Sequence, residues 1–164
     1  MAKQERPGAT SEREKTQKYA LLSVSDKTGI VDLARTLDSL GFRIISTGGT
    51  AKALTDAGLG VIPIEDVTGN PESFDRRMKT ISFQVESGIL YDRTNPSHVQ
   101  QAKDLGIKSI DLVVCNLYPF EKTVGGPDST FDQAVESIDV GGPTMVRAAA
   151  KNHKNVLVVV DPAD

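Results

Sequence analysis

Four side chains able to move protons stand where apolar runs give way to polar residues. They are Lys79 in Asp75-Arg76-Arg77-Met78-Lys79-Thr80, Tyr118 in Asn116-Leu117-Tyr118-Pro119-Phe120, Asp139 in Asp139-Val140-Gly141-Gly142-Pro143, and Lys151 after three alanines. An amine, a phenol and a carboxylate gathered around one substrate can pass protons between its atoms without a covalent intermediate. Each residue also has a plainer explanation. The run Arg76, Arg77 and Lys79 suits a solvated corner, and a half-buried tyrosine commonly packs its ring and bonds a backbone carbonyl.

A second kind of chemistry is suggested by Ile45-Ser46-Thr47-Gly48-Gly49-Thr50, where a buried run breaks into hydroxyls and glycines and then turns helical. Phe42, Ile44 and Ile45 read as the end of a strand, and Ala51, Leu54 and Ala57 recur at helical spacing. Thr50 is expected to cap that helix. Glycines between a strand and a helix leave backbone N–H groups bare, and the helix start adds partial positive charge, so a phosphate is suited there. An ordinary strand-to-helix turn would use the same glycines, because short glycine motifs are common.

The elements that must position these groups alternate. Tyr19 to Val24 reads as a strand ending in the polar loop Ser25-Asp26-Lys27-Thr28-Gly29, and Ile30, Leu33, Ala34, Leu37 and Leu40 follow at helical spacing up to Gly41. The second strand carries the glycine stretch, and a third short strand is expected around Val61 to Ile64. This β-α-β-α-β order implies a parallel sheet with helices on its faces, whose right-handed crossovers bring successive strand ends to one edge. Ligands bind along that edge. The loops Ser23 to Thr28 and Ser46 to Thr50 therefore meet there despite their separation in sequence.

Beyond the cationic corner, Ile81 to Leu90 has mixed spacing that fits strand or loop. Pro96 through Leu105 reads as a helix, and His98 on it reads as a surface residue with no metal partner. Asp111 to Cys115 is a buried strand, with Cys115 a core residue among valines. A helix from about Thr130 to Ile138 is expected to bury Phe131, Ala134, Val135 and Ile138. Another is expected to start after Pro143 and carry Arg147 and Lys151 along one face. Val156 to Val160 reads as the last strand.

Composition excludes several classes. The 164 residues fit one domain, and a net charge of −3 gives no general reason for nucleic-acid or membrane binding. A single cysteine rules out an internal disulfide framework, and two histidines leave little material for zinc. The longest apolar runs are too short to cross a bilayer, and a cytoplasmic protein is expected. Residues 1–17 are polar and charged and read as a disordered tail, with residues 18–164 forming the domain.

The ordered motifs Ser23-Val24-Ser25-Asp26-Lys27-Thr28-Gly29, Ser46-Thr47-Gly48-Gly49-Thr50-Ala51, Met78-Lys79-Thr80, Cys115-Asn116-Leu117-Tyr118-Pro119-Phe120, Ile138-Asp139-Val140-Gly141-Gly142 and Ala148-Ala149-Ala150-Lys151-Asn152-His153 resemble the inosine monophosphate cyclohydrolase domains of bifunctional purine biosynthesis proteins. The resemblance runs from about Tyr19 to the C-terminus. It implies a three-layer, methylglyoxal synthase-like α/β fold with a phosphate site at the strand C-terminal ends. It also implies a homodimer, closure of 5-formamidoimidazole-4-carboxamide ribotide (FAICAR) to inosine monophosphate (IMP) with loss of water, and no metal or organic cofactor. An AICAR transformylase domain normally shares the chain, so this sequence is expected to lack C-terminal helices and that domain.

Carried over by motif, Lys79 would assist proton transfer near the formyl group, and Tyr118, Asp139 and Lys151 would form a hydrogen-bonded set around the reacting amide and leaving water. Ser25, Lys27, Thr28, Ser46, Gly48, Thr50, Arg77 and Thr80 would bind the ribose phosphate and fix the base, and Asn116 would hold the base from the sheet side. Where the family has Lys-Thr-Leu-His-Pro and a second histidine, this chain has Lys79-Thr80-Ile81-Ser82-Phe83 and Glu86. Two rivals use a similar fold. Methylglyoxal synthase would want an aspartate base and a histidine in a Gly-Asp loop that the chain lacks. A non-catalytic nucleotide sensor needs the phosphate cradle but not the four proton-moving groups together.

Overall fold

The structure is a computed structural model describing residues 17–75, 77–127 and 129–164. Apart from Gln17, the polar tail lies outside the described residues. Five parallel strands form one sheet: β1 (Lys18–Leu22), β2 (Phe42–Ser46), β3 (Val61–Pro63), β4 (Ile110–Val114) and β5 (Leu157–Val159), in the order β3-β2-β1-β4-β5. The central strands are apolar on both faces because helices cover both. Ala20, Leu22, Ile44, Leu112 and Val114 pack with Ile30, Ala34 and Leu37 of α1 (Ile30–Ser39) and Leu54 of α2 (Gly48–Asp56). On the other face Leu21, Ile45 and Val113 meet Ile64, which leads into α3 (Glu65–Thr68), and Val85 and Ile89 of α4 (Phe83–Leu90). Met145, Ala148 and Ala149 of α8 (Gly141–Lys151) complete that layer. This is the expected three-layer α/β fold.

The ambiguous stretch after Lys79 is the helix α4. Its start is fixed by Ser82, whose hydroxyl accepts the Val85 N–H at 3.1 Å, while Glu86 falls one turn on. The helix α5 (Pro96–Asp104) starts on Asn95, whose side chain accepts the Ser97 N–H at 2.9 Å, and Pro96 occupies a first-turn position where no N–H is missed. His98 lies on the surface, its Nδ1 accepting the Asp92 N–H at 3.2 Å.

Between β4 and α8 the chain makes an excursion through α6 (Phe120–Val124) and α7 (Phe131–Glu136), which pack on each other. The sequence places a helix here correctly, closed at its start by a Thr130–Gln133 capping box. The expected burial does not follow: Phe131, Val135 and Ile138 are exposed. The apolar period marks a face, but among the described residues no element of the chain covers it. A second correction concerns α8, which begins at Gly141, two residues before Pro143. Proline is tolerated there because first-turn N–H groups have no intrahelical acceptor.

The chain runs from β1 outward through β2 and β3, then returns to the other side of β1 for β4 and β5. The direction of winding therefore reverses between β1 and β4, and a crevice opens beyond their C-terminal ends.

Candidate active site

At that crevice Asn116, just past β4, ties the two central loops together. Its Oδ1 accepts the N–H groups of Ser25 at 2.7 Å and Asp26 at 2.9 Å, and its Nδ2 donates to the Asp26 carbonyl at 2.9 Å. Thr50 makes the matching tie from α2. Its buried hydroxyl accepts the Val24 N–H at 3.1 Å and donates to the Val24 carbonyl at 3.0 Å. Thr50 therefore does not cap α2. The helix starts earlier, after Thr47, whose carbonyl accepts the Ala51 N–H at 3.2 Å, and Thr47 makes no side-chain cap bond. The N–H groups of its first turn are left facing the loops beyond the strand ends, as an anion site requires.

Above these loops lies a cavity of about 700 Å³. Ser25, Lys27, Gly49, Thr50, Arg77, Lys79, Thr80, Asn116, Tyr118 and Asp139 all line it, so the structure brings together three of the four proton-moving groups and most of the expected binding residues. Lys79 is half-buried, with Nζ 3.3 Å from the Glu72 carboxylate, which also accepts the Thr47 hydroxyl at 3.5 Å. A side chain on Gly48 would begin 2.7 Å from Lys79 Nζ, so glycine leaves room for the ammonium at the start of α2. Lys27 lies across Gly49 in the same way, its Cε 3.6 Å from where a side chain would start.

Asp139 precedes α8 and accepts the Gly142 N–H on Oδ1 at 2.8 Å. Its Oδ2 has no hydrogen-bond partner among the described residues, and a side chain on Gly142 would meet that oxygen at 2.7 Å. One carboxylate oxygen is thus anchored and the other points past a glycine. Tyr118 stands at the mouth, 60% exposed. Cys115 lines the floor, and burial, with a smaller contribution from the Asp139 charge, pushes its thiol up to about 11. It is a neutral wall at ordinary pH, as its apolar flanks suggest.

Four expected residues do not line the cavity: Gly48 lies against Lys79, and three are placed elsewhere. The Ser46 hydroxyl is fully buried and donates to the Leu22 carbonyl at 2.6 Å, so it closes the sheet edge. Thr28 turns toward a smaller neighbouring hollow and gives both its N–H and its hydroxyl to Asp26, at 2.9 and 2.7 Å. Those bonds, the hydroxyl's first, hold the Asp26 carboxyl below the usual range. Lys151 is the last residue of α8 and does not line the cavity; it stands six residues, about 9 Å along the axis, beyond Met145, the last residue of that helix to do so. The neighbouring Asn152 donates to the carbonyls of Ile89 and Tyr91, at 2.7 and 3.0 Å, where α4 ends. The expected hydrogen-bonded set of Tyr118, Asp139 and Lys151 therefore does not form within one chain.

Residues that the sequence did not mark include Glu72, Thr47, Cys115 and Glu136. Thr47 lay within the glycine stretch, but a carboxylate in a turn carries no local signal that it will face a lysine seven residues on. The positions that differ from the family's histidines lie outside the cavity. Ser82 caps α4, and Glu86 has one buried oxygen without a hydrogen-bond partner among the described residues, its pKa raised by burial. Among the described residues no group of three histidine, cysteine or acidic side chains stands close enough to hold a metal. None of their helices is long and apolar enough to cross a membrane.

This architecture has relatives. Residues 29–144 match the model of the MGS-like domain family. The chain belongs to that family. Over 147 residues it is 57% identical to the bifunctional purine biosynthesis protein PurH of Acetivibrio thermocellus, a match covering 90% of this chain and 29% of that protein. The PurH of Streptococcus pyogenes serotype M2 is 60% identical over 147 residues, covering 90% of this chain and 28% of its own length. This MGS-like domain thus spans less than a third of the curated relatives it matches. A crystal structure of ForH is 40% identical, with a TM-score of 0.77 over 90% of this chain and 75% of that one. The resemblance read from the motifs and the three-layer fold are both upheld.

Proposed function

We propose that this chain is an inosine monophosphate cyclohydrolase, closing FAICAR to IMP with loss of water in purine biosynthesis. The observation that carries the reading is the shared cavity: Lys79, Tyr118 and Asp139 surround the same space as the uncapped start of α2, Lys27 and Arg77. The high identity to proteins named for purine biosynthesis supports it. So does the position of the divergent residues, since Ser82, Phe83 and Glu86 do not line the cavity.

In this reading the phosphate sits against the first turn of α2 beside Lys27, where backbone N–H groups and an ammonium favour a dianion. The carboxamide nitrogen of the substrate attacks the formyl carbon of the same molecule, so holding the two in a reactive rotamer supplies much of the rate. A C–N bond forms as the formyl oxygen gains negative charge. The Lys79 ammonium, steadied by Glu72, stabilises and protonates that oxygen. The outward oxygen of Asp139 takes the proton lost by the amide nitrogen, while its other oxygen is held by Gly142. Asp139 then returns its proton to the hydroxyl as the C–O bond breaks, and the neutral Lys79 amine takes the N–H proton of the former formamide nitrogen, so that water leaves, the ring closes and both groups regain their starting states. Tyr118 covers the mouth and hydrogen-bonds the reacting amide. No metal or organic cofactor takes part.

Lys151 enters from a second copy of the chain. It does not line its own cavity, and the exposed apolar face of α6 and α7 offers a surface that a homodimer would cover. The word bifunctional in the relatives' names supports a further domain, an AICAR transformylase, on a longer chain. The test is to mix the protein with FAICAR and follow IMP by absorbance, with a Lys79→Ala control. Turnover that the control loses establishes the reaction. Saturable IMP binding with no turnover replaces it with the sensor reading.

A further inference from the structure

Two pocket residues from opposite sides of the cavity mouth neutralise each other. Arg77, from the turn that precedes α4, donates through its guanidinium to the carboxylate of Glu136, the last residue of α7. They are 59 positions apart in the chain, both line the 700 Å³ cavity, and their side chains are 67% and 57% exposed. The bond, with the negative charge beside it, raises the Arg77 pKa further above its already high ordinary value. The pair is therefore a bridge across the entrance, made by one cation that the cavity offers and one carboxylate that it has no evident reason to hold.

An arginine fork binds a phosphate or carboxylate with two parallel hydrogen bonds, and only one such partner fits at a time. An exposed pair of this kind is weak, because water screens the charges and two long side chains lose freedom to form it. A dianion already gripped by the α2 N-terminus and Lys27 outcompetes it. We propose that Glu136 is a displaceable internal counter-anion for Arg77, and that it sets the charge a ligand must carry to open the mouth. A phosphorylated ligand takes Arg77 and frees α7. An uncharged one leaves the bridge closed. The inference rests on the nucleotide reading of the cavity and adds to it a residue that holds Arg77 at the mouth until a phosphate displaces it.

The test measures the dissociation constants of IMP and of its uncharged counterpart inosine by calorimetry, for the wild-type chain, Glu136→Gln, Arg77→Gln and the double variant. Removing the competing carboxylate is expected to tighten IMP about two- to fivefold, the range open to an exposed pair. It should leave inosine unchanged, and the gain should shrink at high salt. In the Arg77→Gln background Glu136→Gln should have no further effect, since the two act as one unit. Equal tightening in both backgrounds would mean a diffuse field effect and overturn the proposal. So would weaker or unchanged IMP binding by Glu136→Gln, while wild-type IMP binding would keep the nucleotide reading standing. Failure of all four chains to bind IMP would overturn both.

Discussion

Lys79 Nζ lies 2.7 Å from the point at which a side chain on Gly48 would begin, so this lysine and the glycine turn at the start of α2 are built against each other. Gly48→Ala would strain a left-handed residue by about 1–2 kcal/mol and push the ammonium away from Glu72. Urea unfolding should register the first effect and cyclohydrolase turnover the second. Lys79→Ala acts differently, because the turn stays intact. Turnover should fall by about 10²–10⁴, the usual contribution of a positioned acid, with affinity for IMP nearly unchanged. Equal loss of turnover and affinity would assign Lys79 to binding alone.

Thr50 holds the loop after β1 through two hydrogen bonds to Val24. In Thr50→Val the shape is kept but the Val24 N–H and carbonyl lose their partner, at a cost of about 1–3 kcal/mol for buried polar groups. The loop then carries Ser25 and Lys27 less firmly, and binding of IMP should weaken while the chemical step, once saturated, changes little. Denaturant midpoints and binding titrations on the same variant separate the two.

The strands were legible because their residues are buried on both faces and so read as short unbroken apolar runs, as in Ile110–Val114. The meeting of Ser25 and Thr50 followed from topology, since parallel strands end on one edge, while Asn116 was placed by the family resemblance. What failed has a physical reason in each case. The spacing from Ile81 to Leu90 gave no period because Gln84, Glu86 and Ser87 are all partly buried, and the deciding signal was a single cap, Ser82. Phe131, Val135 and Ile138 form a helical face, but amphipathicity does not say what covers it. Thr50 looked like a cap because hydroxyls favour that position, yet the Thr47 carbonyl already accepts the Ala51 N–H and begins the helix sooner. Lys151 followed a familiar motif, and a motif does not reveal which end of an eleven-residue helix faces the site.

Cys115 gives a pH dependence of definite sign. Burial, which disfavours the thiolate, pushes its thiol up from an ordinary 9.0 to about 11 in the folded chain. Below pH 9 both folded and unfolded chains keep the proton, and the full stability is present. As pH rises from 9 through 11 the unfolded chain ionises first and stability is lost, about 1 kcal/mol by pH 10 from this group. Urea midpoints at pH 8 and pH 10 should therefore drop further for the wild type than for Cys115→Ala, which lacks the titrating thiol. An equal drop in the two would remove Cys115 from the effect. The same burial predicts slow alkylation by iodoacetamide at pH 8 until the chain is unfolded.

Lys151 provides the test of assembly. If each cavity combines its own Lys79 with the lysine of a second copy, then Lys79→Ala and Lys151→Ala chains are each inactive alone but complement one another when mixed. In a mixed two-fold dimer the cavity of the Lys151→Ala chain keeps its own Lys79 and receives an intact lysine from the other copy. The remaining cavity lacks both. Equal mixing makes half of the dimers hybrid, so roughly a quarter of wild-type turnover should return, and it should fall on dilution as dimers part. The double variant Lys79→Ala/Lys151→Ala mixed with wild type supplies the control, since its hybrids contain no cavity with both lysines. No recovery in the first mixture would confine the chemistry to Lys79, Tyr118 and Asp139 of a single chain, with Lys151 left as a surface residue at the end of α8.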